Sequence, residues 1–223
     1  MSLPVGATAS RSTRRSRVLE LYVSSLITFF VVIDPPGCAP IYAGLSAGAS
    51  PAQRRAMAIR AVGVASAILL VFALFGEDLL RGLGISLASF RIAGGIMLFL
   101  IALEMVFEKR TQRREDRAAK VADDPEAEDV SIFPMAMPMI AGPGSIASVM
   151  LLMARNDGIE RSAVVLAALG TILTLTLVAL LLAGPLMRLL GTRIEAVITR
   201  LLGVLLAALA VQFVMDGLQV SLR

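Results

Sequence analysis

The chain contains no histidine, no tryptophan and only one cysteine, Cys38. Without histidine there is no imidazole acid–base chemistry, no Ser-His-Asp triad and no ordinary zinc or haem ligation. One cysteine allows neither an intramolecular disulfide nor a Cys-pair redox cycle. Charge is also scarce, at 17% of residues against about 25% in a soluble domain. The net charge of +4 is not accompanied by an aromatic-interleaved basic patch, so nucleic acid is not an expected partner. These absences predict a protein that is not an enzyme and carries no cofactor and no metal.

Apolar residues take the place of what is missing. They make up 57% of 223 residues, and mean hydropathy is +0.82. Long uncharged blocks alternate with short charged patches, which predicts a multi-pass protein whose main partner is the lipid bilayer. A spanning helix needs about 20 mostly apolar residues. Segments 18–47, 56–76, 84–107, 130–154, 162–187 and 194–215 meet that criterion, so the predicted fold is an all-α integral membrane bundle with six transmembrane helices. A basic tail, 1–17, precedes them with Arg11, Arg14, Arg15 and Arg17. Thr13-Arg14-Arg15-Ser16 partly resembles a twin-arginine signal. Arg17 stands where such a signal wants an apolar residue, and five more apolar segments follow, so the first segment reads as a transmembrane helix. The stretch 108–129 is rich in both signs of charge and reads as a solvated loop. The balance of Lys and Arg between the two sides is nearly even, tilting toward a cytoplasmic loop 108–129 with both termini outside.

The chain also echoes itself. Pro35-Pro36-Gly37 in the first segment corresponds to Gly142-Pro143-Gly144 in the fourth. The same spacing carries Gln53-Arg54 onto Glu160-Arg161, Arg81 onto Arg188 and Gly84 onto Gly191. Two residues further on, Arg91-Ile92-Ala93-Gly94 matches Arg200-Leu201-Leu202-Gly203. Residues 18–107 and 130–223 are thus read as two three-helix repeats joined by the charged loop 108–129. Three is an odd number of crossings, so the second repeat enters the membrane from the opposite side. A 3+3 inverted repeat of this kind is common among secondary transporters, whose sites lie near the midplane at the repeat interface.

Proline removes a helix N–H and clashes with the carbonyl one turn back, while glycine admits unusual dihedrals. The first and fourth helices are therefore expected to be broken, with new half-helices starting after Gly37 and after Gly144. Free N–H groups and positive dipole ends at such starts bind anions, including a carboxylate, and Ser145 adds a hydroxyl at the second. The competing reading is a pair of structural kinks. An inverted repeat places equivalent breaks near its two-fold axis, and unpaired backbone groups must turn away from lipid. Both breaks are thus expected to meet near the bilayer centre and line one polar cavity.

At these residues the sequence resembles a known family. The segments FFVVIDPPGCAPIY (Phe29–Tyr42), GISLASFRIAGGIMLF (Gly84–Phe99), PMAMPMIAGPGSIA (Pro134–Ala147) and ITRLLGVLLAALAVQFVMDGL (Ile198–Leu218) are similar to the signature segments of MarC-type inner-membrane proteins. The resemblance covers nearly the whole chain after the basic tail. It implies six spans, a bacterial inner membrane, termini outside and kinship with the LysE-type exporter superfamily. Some relatives are described as transporters of small neutral amino acids. Asp34 stands here where some members have Asn, and the residue after the motif, Cys38, also varies, so substrate and coupling ion stay open.

Asp34 is the sharpest candidate among the charged residues. A buried carboxylate serves as a proton carrier, a cation ligand or the partner of a substrate ammonium; alternatively it caps the half-helix after the break. The candidate substrate and ion site is therefore Asp34, Pro35, Pro36 and Gly37 with Gly142, Pro143, Gly144 and Ser145. Arg91 and Arg200, at equivalent places in the two repeats, are secondary candidates that either steer a carboxylate or snorkel to the interface. Arg60 is read as snorkelling, and Glu104 and Asp216 as interfacial charges. Gly94, Gly95 and Gly203 suit close helix packing. Met135, Met137 and Met139 suit adaptable packing rather than a thioether metal path. The leading functional expectation is a secondary transporter or exporter of a small solute such as a neutral amino acid, coupled to a cation or proton. The alternatives are a non-transporting regulatory or scaffold protein and, with a single cysteine against it, a thiol-redox carrier.

Overall fold

The structure is a computed structural model that describes residues 6–109, 112–116, 129–156 and 158–222. The side chains of 6–15, 187–193 and 195 lie outside that description, as does most of the charged loop. Among the described residues every regular element is helical. In chain order they are α1 (Gly6–Ile33), α2 (Pro35–Leu45), α3 (Pro51–Gly82), α4 (Leu87–Val106), α5 (Ser131–Ile140), α6 (Pro143–Arg155), α7 (Ile159–Leu181) and α8 (Ala183–Ser221). Five stretches are long and apolar enough to cross a membrane, with α1 and α2 acting together over Ser16–Leu45. Counting α5 and α6, bent by 51° at their junction, as one further span gives six.

Local sequence explains most boundaries. Ser50 accepts from the Gln53 N–H while the Gln53 side chain accepts from the Ser50 N–H, a capping box with Pro51 in the first turn of α3. Ser86 caps α4, and Gly84 supplies the positive φ of 70° that turns the chain between α3 and α4. Two expected ends move. The fifth span is not 162–187 but stops at Leu181, and α8 starts at Ala183 and continues unbroken to Ser221. Gly184 and Pro185 therefore fall in the first turn of α8, where a proline lacks nothing the helix needs.

The helices that follow the two breaks, α2 and α6, are largely buried, while α5 keeps Ile132, Phe133 and Met137 exposed. Nine residues of α6 are buried, whereas α4 and α8 expose Ile96, Leu100, Leu201, Val204, Leu205 and Val211. Exposed apolar side chains of this size belong against lipid, and irregular backbone belongs inside. α4 and α8 form the most extensive pair and run antiparallel, because Gly217 meets Ala88, Gly95 meets Ala210 and Gly203 meets Ala102. A Cβ added at these glycines would lie 3.0, 2.8 and 3.1 Å from the facing carbonyl oxygens. Glycine here lets two backbones touch. Gly94 faces α6 instead, with Leu151 and Ala147 as neighbours.

Packing between the halves is nearly symmetric. α1 packs on α7 as α5 packs on α3; α2 on α7 as α6 on α3; α2 on α8 as α6 on α4. The contact of α1 with α6 is matched by that of α2 with α5, and the α3–α7 and α4–α8 pairs map onto themselves. The contacts of α1 with α8, α6 with α7 and α7 with α8 are the exceptions, with no counterparts of the same extent.

Candidate functional site

The first break is a single residue. Asp34 adopts φ 59°, ψ 65°, a left-handed conformation open to Asp more than to most residues, and α2 restarts immediately at Pro35 rather than after Gly37. Pro35 and Pro36 have no N–H to offer the end of α1. The Asp34 side chain caps the new helix, accepting from the Gly37 N–H at 3.2 Å. A Cβ on Gly37 would overlap the Asp34 carboxylate, so glycine is what admits the cap.

The second break is wider. Phe133 (φ −125°, ψ 126°) and Met137 (φ −132°, ψ 124°) are extended in the middle of α5. Each precedes a proline, Pro134 and Pro138, whose ring pushes the preceding residue out of the helical region. The chain then passes Ala141 and Gly142, and α6 starts at Pro143 rather than after Gly144. A Cβ on Gly142 would run into the Pro138 carbonyl oxygen; one on Gly144 would meet the tip of Ile101 at 2.6 Å and Val32 at 3.3 Å. Val32 lies two residues before Asp34, so the breaks adjoin.

They do not share a cavity in the expected way. A cavity of about 370 Å³ is lined by Gly142, Pro143, Gly144 and Ser145 together with Val32, Glu104, Arg113 and Arg114. Asp34, Pro35, Pro36 and Gly37 are not in its lining. Asp34 reaches it through Arg114, whose Nη1 donates to Asp34 Oδ2 at 3.1 Å. Asp34 is 1% exposed and Arg114 7%. Beside this pair Arg113 and Glu104 form a second one at 2.8 Å. Here the reading of 108–129 as wholly solvated is corrected. Within 112–116, Arg114 is buried, because a buried carboxylate without a counter-charge is costly and the guanidinium supplies it. With one carboxylate oxygen on Gly37 and the other on Arg114, Asp34 is a cap and an ion-pair partner.

The two helix starts differ in one respect that matters chemically. Asp34 neutralises the positive end of α2, whereas no side chain caps α6. Pro143 has no N–H, and those of Gly144 and Ser145 have no acceptor within the helix. Gly144, Ser145 and Arg114 line the same cavity. The cavity therefore combines an uncapped helix start, two arginines and one acid, and its two ion pairs, Asp34 with Arg114 and Glu104 with Arg113, balance in charge.

The secondary candidates lie elsewhere. Arg91 donates to the Ala154 carbonyl at 3.4 Å at the end of α6, and Arg200 pairs with Glu108. Neither lines the cavity. Arg60 pairs with Asp129 and Asp216 with Arg155 at 3.0 Å, so these charges are held by partners. Cys38 is buried. Arg113 and Arg114 escaped the sequence reading because nothing in a mixed-charge stretch marks which residue folds inward. Glu104, an acid inside an apolar run, was the one signal present.

The comparisons with known proteins agree with this architecture. Residues 19–222 match the family model described as MarC family integral membrane protein. The chain is 36% identical over 207 residues to a UPF0056 membrane protein of Methanocaldococcus jannaschii, covering 92% of this chain and 98% of the relative. It is 34% identical to the UPF0056 membrane protein YvbG of Bacillus subtilis, covering 91% and 96%. It is 31% identical to the UPF0056 inner membrane protein YhgN of Escherichia coli K12, covering 90% and 98%. No solved structure matches. With an all-helical, multi-pass architecture and a family match spanning nearly its whole length, this chain belongs to the MarC family of integral membrane proteins.

Proposed function

We propose that the protein is a secondary transporter or exporter of a small zwitterionic solute, of which neutral amino acids are the leading class. The observation that carries this reading is the cavity at the second break. The uncapped start of α6 and Arg114 suit a carboxylate, and Glu104 suits an ammonium. The resident charges already balance, so a solute of no net charge enters without leaving an unpaired charge behind. A volume of about 370 Å³ is ample for a solute of that size. The pairing of helices between the halves supports an inverted repeat, in which one half rocks against the other around a site at their interface. The name of the Escherichia coli relative supports placement in an inner membrane, and the slight excess of Lys and Arg on the side of the 108–129 loop favours termini outside. The buried position of the lone Cys38 speaks against a thiol carrier.

Purified protein in liposomes should move labelled alanine or glycine faster than empty liposomes do under an imposed proton or sodium gradient. Glu104→Gln should lower that flux at least tenfold with the fold retained. Flux equal to that of empty liposomes for a panel of small zwitterions under both gradients would overturn the assignment.

A further inference from the structure

A second cavity, of about 460 Å³, lies where α2 ends, α3 begins and α7 gives way to α8. Its lining joins Tyr42, Ser46, Arg54 and Arg55 to Leu180 and Leu181. Arg54 is held rigidly: its Nε donates to the Ala49 carbonyl at 3.1 Å and its Nη2 to the Ala47 carbonyl at 2.6 Å. The Tyr42 hydroxyl donates to the Arg54 carbonyl and so ties the start of α3 to α2. Both acceptors of the guanidinium are neutral. Among the described residues neither Arg54 nor Arg55 has an acidic partner within ion-pair distance. The first-turn N–H of α3 at Gln53 is taken by Ser50, so the arginines, not the helix end, carry the site's charge.

The matching corner of the other half behaves differently. The correspondence that aligns Gln53-Arg54 with Glu160-Arg161 leads to a cavity of about 550 Å³ lined by Arg17, Asn156, Glu160 and Arg161. There an acid stands beside the arginines. At the α2–α3 corner Gln53 replaces it, and two positive charges are left beside an apolar wall at the end of three helices.

We infer that this cavity binds the headgroup of an anionic phospholipid. The phosphate lies against Arg54 and Arg55, and the start of the acyl chain runs along Leu180 and Leu181. Basic pockets between transmembrane helices at the membrane surface recognise anionic headgroups in this way. A free phosphate would gain nothing from the leucines. The inference is independent of the transported solute, since neither arginine lines the cavity at the second break.

The test is native mass spectrometry of the full-length protein in detergent, titrated with phosphatidylglycerol or with phosphatidylcholine of the same chains. The expected result is selective retention of phosphatidylglycerol. Arg55→Gln, which removes no hydrogen bond among the described residues, should weaken it about fivefold, and R54Q/R55Q about 25-fold, as roughly 1 kcal/mol per arginine requires. Arg17→Gln with Arg161→Gln should leave it unchanged. Equal retention of phosphatidylcholine, no loss in Arg55→Gln, or displacement of the lipid by millimolar inorganic phosphate would each overturn the assignment. Because Arg54→Gln also loosens the α2–α3 turn, the Arg55→Gln variant decides the matter alone.

Discussion

Replacing Arg114 by Gln should be among the most damaging single changes outside the helices that span the membrane. It removes the counter-charge of Asp34, which is 1% exposed and paired at 3.1 Å. Removing one partner of a buried ion pair costs about 3–5 kcal/mol, because the remaining charge stays buried and unpaired. In a chain of this length each kcal/mol lowers the unfolding midpoint by about 2–4 °C, so the loss should be about 6–20 °C. Asp34→Asn should cost less. Its amide oxygen still accepts from the Gly37 N–H, and the freed arginine has a long side chain that can turn toward water, whereas Asp34 is fixed between α1 and α2. The double variant should recover part of the Arg114→Gln loss, giving a coupling energy of about 1–3 kcal/mol in the cycle. Cys38 supplies the assay. It is the one cysteine, wholly buried and one turn beyond Asp34, so its reaction with a fluorogenic maleimide on heating in detergent reports opening at the first break. An Arg114→Gln midpoint within about 2 °C of the parent, less than 1 kcal/mol on this scale, would refute the claim that the loop arginine is structurally committed to Asp34.

Three further outcomes are expected. Gly142→Ala should lower the midpoint more than Gly144→Ala, by about 1–3 kcal/mol, since the first collides with the Pro138 backbone and the second only with the side-chain ends of Ile101 and Val32; comparable midpoints would show that the α5 backbone yields. In the α4–α8 contact, Gly203→Leu should be strongly destabilising, while Gly63→Ala and Gly170→Ala, with nothing near the added atom, should be neutral or up to about 1 kcal/mol stabilising. Arg91→Gln and Arg200→Gln should retain solute flux in liposomes, because neither residue lines the cavity; loss of flux without loss of fold would return them to the site.

Membrane embedding, the helical class and the approximate positions of both breaks were legible in composition and local motifs, although the helices restart at Pro35 and Pro143 rather than after Gly37 and Gly144. A lipid-exposed apolar run of about 20 residues spans as a helix, and the clustered Pro35-Pro36-Gly37 and Gly142-Pro143-Gly144 motifs marked the interruptions, since a missing N–H is a property of proline itself. A lone proline is weaker, as Pro40 sits inside α2 without ending it. The Pro35–Gly37 and Gly142–Gly144 motifs likewise pointed to two interrupted helices, and both are interrupted. Which polar groups meet could not be read this way. Asp34 and Arg114 are 80 positions apart, and their pairing depends on how the residues after α4 return over the cavity. The same holds for the absence of a cap on α6, for Glu104 turning to Arg113, and for Arg91 and Arg200 being drawn to Ala154 and Glu108. Local chemistry determined where the backbone breaks; only the packed bundle, through the cost of leaving a buried charge unpaired, decided which side chains attend each break.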